Sequence, residues 1–424
     1  MLFDDNFRFR VTYVLVLLAP IFLLTVRGWT NTLVGLLALW SFANIVLSPK
    51  KYFSNRPNAF WFISLCFSLP FLTEITVQIL RYFTYSEIFH GGSIDTVFRG
   101  LVGGIIFIYL SKNFRLQICQ GLTWGCAISV IVTFIYVNFL QQGNWESSER
   151  GSVYFVDPNS FGVYAVALGS LAFLIELRTK NFSVAWLLRA LLLLASLELA
   201  VLSESRSALL ASLCLIFYLI YYKLKSKVSL PLLLLIWITL SAIIILFLGY
   251  FKIWRVHEIL PDLSYYFSTI NPKETSVGSR VELLRTQFEL FKLRPILGFA
   301  DGSHPDFDTL RLKFPISHDT FNIQRFAGSH MEFLAWTQKQ GLLGLLSVFA
   351  IFLIPLRVFY LRVKSDGEKV SAIAISSLAF VTVVSFGGIG IQVLNLKMFA
   401  TFYAFVVACS VAYVFNQDMI VKRS

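Results

Sequence analysis

Charge is what this chain of 424 residues has least of. Charged side chains make up 14% of it and apolar ones 57%. A soluble domain carries about 25% and roughly 45–50%. That shortage excludes an ordinary soluble enzyme, a disordered chain and a coiled coil. Cysteine is scarce and odd in number. Cys66, Cys119, Cys126, Cys214 and Cys409 each sit inside an apolar run, as small buried hydrophobes and not as a disulfide framework. Metal-binding patterns are missing too. His304, His318 and His330 are spaced 14 and 12 apart, with no HExxH and no cysteine on that side. No metal or other cofactor is expected. Nor is there an A-x-A-like cleavage site after the first apolar stretch, so no cleavable signal peptide is expected.

What is abundant is apolar length. Forty-two Phe and seventeen Tyr suit a lipid-facing surface and its interfacial belts. Twelve windows are long enough to span a bilayer: 11–27, 31–48, 59–80, 96–111, 117–140, 160–177, 184–202, 207–222, 229–250, 334–356, 370–388 and 391–415. The reading is an all-α polytopic membrane protein with about twelve transmembrane helices. Residues 1–250 carry helices one to nine and 334–424 carry helices ten to twelve. A large loop subdomain with short helices, 251–333, lies between.

Basic residues fix the expected orientation. One set of span ends holds 17 Lys and Arg, from Arg8 and Arg10 to Lys422 and Arg423. The short loops opposite hold five: Arg27, Arg81, Arg99, Arg150 and Arg206. The positive-inside rule then puts both termini in the cytoplasm and the long loop outside. That loop has ten basic and ten acidic residues, so the net charge of +12 is mostly topology signal. No basic patch for nucleic acid stands out. All five His fall on the outer side. In the loop, Ser279-Arg280-Val281-Glu282 reads as a capping box. Apolar residues at 281, 284, 288 and 291 predict a short amphipathic helix at the membrane surface, ended by Pro295.

Several polar residues are candidates for chemistry. Arg206 opens a span directly after Ser203-Glu204-Ser205. It is either an interfacial anchor or an anion ligand. Arg280 lies in the first turn of the loop helix, where free N–H groups favour an anion and a guanidinium adds a fork; Arg285 is on the same helix. His330 stands where the loop re-enters the membrane and can serve as a general base. Glu332 could orient it, or be a helix-start carboxylate. Glu74, Arg99 and Lys397 are intramembrane polar groups. Arg99 could join an anion site, and Glu74 and Lys397 could pair with each other.

Three stretches resemble a known family. Ser203-Glu204-Ser205-Arg206-Ser207 is like an S/T-x-S/T-R span start. Gly278-Ser279-Arg280, then a helix and Arg294-Pro295-Ile296-Leu297-Gly298, is like G-S/A-R…P-x-x-G. Ser329-His330-Met331-Glu332-Phe333-Leu334 through Gly341-Leu342-Leu343-Gly344 is like H-N-x-x-L…G-x-x-G, with Met331 departing from the pattern. Together, over roughly 150–345, they resemble the O-antigen ligase/polymerase superfamily of bacterial envelope glycosyltransferases, and its O-antigen ligases most. The resemblance implies an enzyme of the inner membrane with a periplasmic active site and no metal or nucleotide. Its donor is O-antigen on undecaprenyl pyrophosphate. Its acceptor is a sugar hydroxyl of lipid A–core, and its product mature lipopolysaccharide. It implies His330, Arg280 and Arg206 as catalytic residues. Arg99, Glu332 and Arg285 are expected to bind substrate. The physical chemistry fits. Arginine forks stabilise a diphosphate leaving group, and a histidine can take the proton of the attacking hydroxyl. A polymerase of the same superfamily is the near alternative. A transporter or flippase is the distant one, although no repeated Gly/Pro-broken halves are seen.

Overall fold

The computed structural model describes residues 4–89, 91–113, 115–141, 150–173, 182–224, 228–251, 255–268, 276–299, 330–364 and 368–421. Among these, the secondary structure is helical apart from one isolated bridge between Val153 and Val156. In chain order the helices are α1 (Asp5–Leu18), α2 (Trp29–Leu47), α3 (Pro49–Phe53), α4 (Asn58–Tyr85), α5 (Gly91–Asn113) and α6 (Leu116–Ile135). A π-helical turn, Tyr136–Leu140, continues α6. Next come α7 (Pro158–Ala172), α8 (Phe182–Leu202), α9 (Arg206–Leu224), α10 (Leu230–Tyr250), a 3₁₀ turn (Val256–Glu258), α11 (Ile259–Ser268) and α12 (Ser276–Leu293). The last three are α13 (Glu332–Lys364), α14 (Glu368–Gly387) and α15 (Lys397–Val421).

Every expected apolar window overlaps a helix, but among the described residues eight helices are long and apolar enough to cross a membrane: α2, α4, α5, α6 with its π turn, α8, α10, α13 and α15. The α9 and α14 positions give shorter apolar helices, Arg206–Tyr221 and Ile373–Gly387. The first window is shorter in helix than expected. Helix α1 ends at Leu18, before Pro20, and α2 starts after Gly28, whose φ is +82°. Helix α7 runs 15 residues and is buried from Ser160 to Ala172. It serves as core more than as a lipid-facing span.

Position follows composition. Helix α10 is apolar all round and exposed almost all round, as a helix against lipid should be. Helix α15 is buried from Met398 to Phe415. It packs along α2, α5 and α13, and its Phe399 ring stacks on Tyr164 of α7 at 3.8 Å between centroids. The Tyr164 hydroxyl donates to the Val393 carbonyl at 3.1 Å, tying α7 to the turn between α14 and α15.

The outer segment docks by a clasp between two of the singled-out motifs. After α12, Arg294–Phe299 lies against a break in α13. Phe299 N–H donates to the Gln338 carbonyl at 2.8 Å, and Leu342 N–H to the Pro295 carbonyl at 2.7 Å. Gly298 and Gly341 meet here with φ near +60°, and Gly341 interrupts the helical path of α13. A Cβ on Gly341 would lie 2.4 Å from the Ile296 backbone, and one on Gly298 2.5 Å from the Gln338 carbonyl. Glycine is therefore required by both space and φ. Helix α12 differs from expectation. It starts at Ser276, so Ser279 lies inside it and is not its cap. Its protein-facing side is Leu283, Thr286, Gln287 and Leu290, with Gln287 donating to Gln338 at 2.6 Å; Leu284 and Phe288 are exposed. The polar pair across the interface turns the expected apolar stripe outward.

Gly341→Ala should lower the apparent melting temperature in detergent by several degrees, because strain of about 1–3 kcal/mol adds to a backbone clash. An unchanged midpoint would show that the clasp does not hold the outer segment.

Candidate functional site

The site is assembled where α7, α9 and α13 begin, together with α11, α12 and the turn before α7. The turn before α9 is built for it. Glu204 takes the left-handed conformation, with φ 48°. The Ser203 hydroxyl accepts from Ser205 N–H, and the Ser205 hydroxyl from Ala208 N–H, both at 3.3 Å. Ser205 thus caps α9 and sets Arg206 as its first residue. Gly162 of α7 lies so close that a Cβ there would meet the Ser203 hydroxyl at 2.2 Å.

Arg206 donates to Glu258 at 3.1 Å and to Asp262 at 3.4 Å, and reaches the Arg255 carbonyl at 3.3 Å. Arg255 and Glu258 form their own ion pair at 2.7 Å. That contact pulls the Glu258 carboxyl below its ordinary range and holds the Arg255 guanidinium more firmly charged, with burial opposing both. Arg150 donates to the Ser203 carbonyl at 3.0 Å and to Asn159 Oδ1 at 2.8 Å. Its guanidinium is pushed down by burial, then by Arg255 and Arg206, while Glu204 and Asp157 oppose.

Arg280 is different. It is half-buried on α12 and makes no hydrogen bond or ion pair among the described residues. Burial lowers its pKa first, and Arg206, Arg150 and Arg255 each lower it further. Four guanidinium groups therefore share one electrostatic neighbourhood, and Arg280 has no ion-pair partner among the described residues. His330 is beside it, half-buried, with φ 53°. Burial and then Arg280 push its imidazole below the ordinary value, with Asp157 opposing. Near neutral pH it is the free base. Three of the five non-glycine residues with positive φ among the described residues, Glu204, Arg255 and His330, belong to this site. Backbone strain of that kind gathers at functional sites. The chain can hold an anion with arginine forks and helix N-termini, and present a neutral imidazole beside it.

Of the six expected site residues, this neighbourhood contains Arg206, Arg280 and His330. The other three lie elsewhere. The Glu332 carboxylate is buried and accepts from Trp336 Nε1 at 2.6 Å and Leu394 N–H at 2.9 Å, while its own N–H donates to Gly388. It fastens the start of α13 to the turn before α15, as a helix-start carboxylate does. Arg99 pairs with Asp95 at 2.6 Å. Arg285 is exposed, five residues from Arg280 and so on another face of α12. The suggested Glu74–Lys397 pair does not form. Lys397 meets Asp95, and Glu74 accepts from Gln78, Ser93 and Gln340. His304 and His318 lie outside the described residues. Among those described, no three His, Cys, Asp or Glu side chains stand together as metal ligands.

Sequence reasoning used Arg150 for topology alone and gave 251–275 no role. The signal for the second was present: Arg255, Glu258 and Asp262 fall at i, i+3 and i+7, on one helix face. Arg150 had no local signal, since its position depends on the fold of Gly151 against the end of α8, where Gly151 N–H donates to Leu202 at 2.7 Å.

Residues 190–349 match the sequence profile of the family described as O-antigen ligase, which supports membership of the O-antigen ligase superfamily. The matched segment contains Arg206, Arg280, His330 and the clasp glycines. No curated protein matches the chain.

Because the folded protein disfavours a charged Arg280, Arg280→Gln should leave the melting temperature of the substrate-free protein unchanged or raised. Thermal unfolding in detergent tests this, and a fall of several degrees would mean that Arg280 has a structural partner after all.

Proposed function

We propose that this chain, as a glycosyltransferase-like membrane enzyme of the O-antigen ligase superfamily, is an O-antigen ligase. It transfers O-antigen from undecaprenyl pyrophosphate to a sugar hydroxyl of lipid A–core at the periplasmic face of the inner membrane. The observation that carries this reading is Arg280, a guanidinium without an anionic partner among the described residues, between other arginines and a neutral His330. The diphosphate is the missing anion. Arg280 and Arg206 grip it, with Arg150 adding charge from the facing turn. The pair Glu258 and Asp262 holds Arg206 until the donor competes for it.

The chemistry then needs few parts. His330 accepts the proton of the attacking sugar hydroxyl as oxygen attacks the anomeric carbon. The bond to the diphosphate breaks, and the arginines take the charge that develops on the leaving group. The diphosphate leaves readily when cations surround it, so the reading calls for no metal or nucleotide. A donor with a lipid tail and a charged head also suits a site at the outer ends of apolar helices. The polymerase alternative shares the donor and differs in the acceptor, which a product analysis separates.

The experiment reconstitutes purified protein with undecaprenyl-pyrophosphate O-antigen and rough lipopolysaccharide, with EDTA present. Laddered lipopolysaccharide is expected from the wild type. Losses of about 10²-fold or more are expected in Arg206→Ala and Arg280→Ala, and about 10²–10⁴-fold in His330→Ala. Glycan lengthening on the carrier would make the protein a polymerase. Absence of both products from folded protein would overturn the reading, and loss of activity in EDTA its metal-free chemistry.

The pH profile adds a separate check. His330 is pushed below its ordinary value of 6.5, so its base form persists at neutral pH and is lost only as pH falls through that lowered pKa. The wild-type rate should decline on an acid limb below 6.5. In His330→Gln the residual rate should lack that limb; if the limb stays, another group is the base.

A further inference from the structure

The turn between α14 and α15, residues 388–396, has no charged side chain and lies outside the segment that matches the family. Its position gives it a role. It touches the first two turns of all three helices whose starts assemble the arginine–histidine site. Against α13, the Gly388 carbonyl accepts from Glu332 N–H at 2.9 Å, and Leu394 N–H donates to the Glu332 carboxylate at 2.9 Å. Glu332 is two residues from His330. Against α9, Gly390 packs on Ser207, the residue after Arg206. Against α7, the Val393 carbonyl accepts from the Tyr164 hydroxyl at 3.1 Å.

The turn is firm in itself. Gly388 N–H donates to the Val384 carbonyl at 2.9 Å and Gly390 N–H to the Gly387 carbonyl at 3.1 Å. Ile391, Val393 and Leu394 are buried. Its contacts are close because side chains are missing. A Cβ on Gly388 would lie 3.2 Å from the Glu332 Cβ. One on Gly390 would run into the Ser207 hydroxyl, with the Ser207 Cβ itself 3.4 Å away. Neither glycine has a φ in the left-handed region, so space and not backbone conformation calls for glycine. The Ser207 side chain is buried, and its hydroxyl has no hydrogen-bond partner among the described residues. Packing alone therefore sets how near the start of α9 comes to the turn.

We propose that this turn is the spacer that sets Arg206 against His330, with Gly390 the positioning residue for Arg206 and Gly388 for His330. The assignment rests on the glycosyltransferase reading of those two residues. Both glycines act through a neighbour, Ser207 or Glu332, and not on substrate. Transfer needs the leaving diphosphate and the deprotonated hydroxyl in line at once, and a misplacement of about 1 Å can cost about 10²-fold in rate. Binding of the diphosphate needs the arginines alone and is less sensitive to their distance from the imidazole.

The test uses the full chain in detergent, with rates taken per folded protein in the ligase assay. Gly390→Ala should lower kcat about tenfold or more, with affinity for undecaprenyl pyrophosphate changed less than about threefold. Adding Ser207→Ala removes the hydroxyl that the new methyl meets, so the double variant should recover kcat to within about threefold of the wild type. Gly388→Ala, which presses on Glu332 instead, should lose kcat likewise and gain nothing from Ser207→Ala. It also serves as the second variant should Gly390→Ala lose its fold. Wild-type kcat in folded Gly390→Ala or Gly388→Ala would overturn the spacer. A loss that Ser207→Ala does not relieve, or relieves equally in both glycine variants, would overturn the contact through Ser207. A loss of affinity with kcat unchanged would make the turn part of donor binding and overturn positioning. No product from the folded wild type would instead overturn the glycosyltransferase reading, and the spacer with it.

Discussion

The interaction that organises the candidate site is one that the described residues leave unmade. Arg280 stands half-buried beside Arg206, Arg150 and Arg255 with no carboxylate of its own among the described residues. A guanidinium does not shed its proton in water or in protein, so the charge stays and the fold carries the repulsion. Such an arrangement is unfavourable for stability alone and favourable for a doubly charged ligand. Much of the surrounding architecture serves to keep it in place. The Ser205 cap aims Arg206, the carboxylates of α11 hold it, and the glycine clasp seats α12, and with it Arg280, against α13. The same charge acts on His330, since a cation nearby and partial burial both favour the neutral imidazole.

Helix ends add to the field. Arg206, Glu332 and Pro158 each open a helix at this side of the molecule. The free N–H groups of helix starts carry partial positive charge. A positive, partly buried rim over an apolar body suits a ligand that is itself divided, with a charged head and a hydrocarbon tail.

Much of the fold was legible because lipid imposes a one-dimensional rule: apolar length means helix. Each apolar window overlaps a helix, and Arg206, Arg280 and His330 stood out as polar residues at span or helix starts. What the sequence could not show were contacts between distant segments. Glu332 is two residues from His330, yet its carboxylate turns inward to Leu394, a residue 62 positions on. Arg99 was grouped with the anion ligands by its place at a span start, and Asp95 one helical turn away claims it. The stripe on α12 pointed the wrong way because Gln287 has Gln338 to meet. Span length was overread at α1, where Pro20 ends the regular helix, and at α7, whose apolarity reflects enclosure by other helices.

The central claim is that Arg280 is kept unpaired for a diphosphate. The most direct test is the dissociation constant of undecaprenyl pyrophosphate for the wild type and for Arg280→Gln, each folded and in the same detergent and salt. The account predicts at least tenfold weaker binding in the variant, about 1.4 kcal/mol, and a shallower salt dependence. Equal constants would contradict it, because the diphosphate would then be held without the guanidinium that has no partner among the described residues.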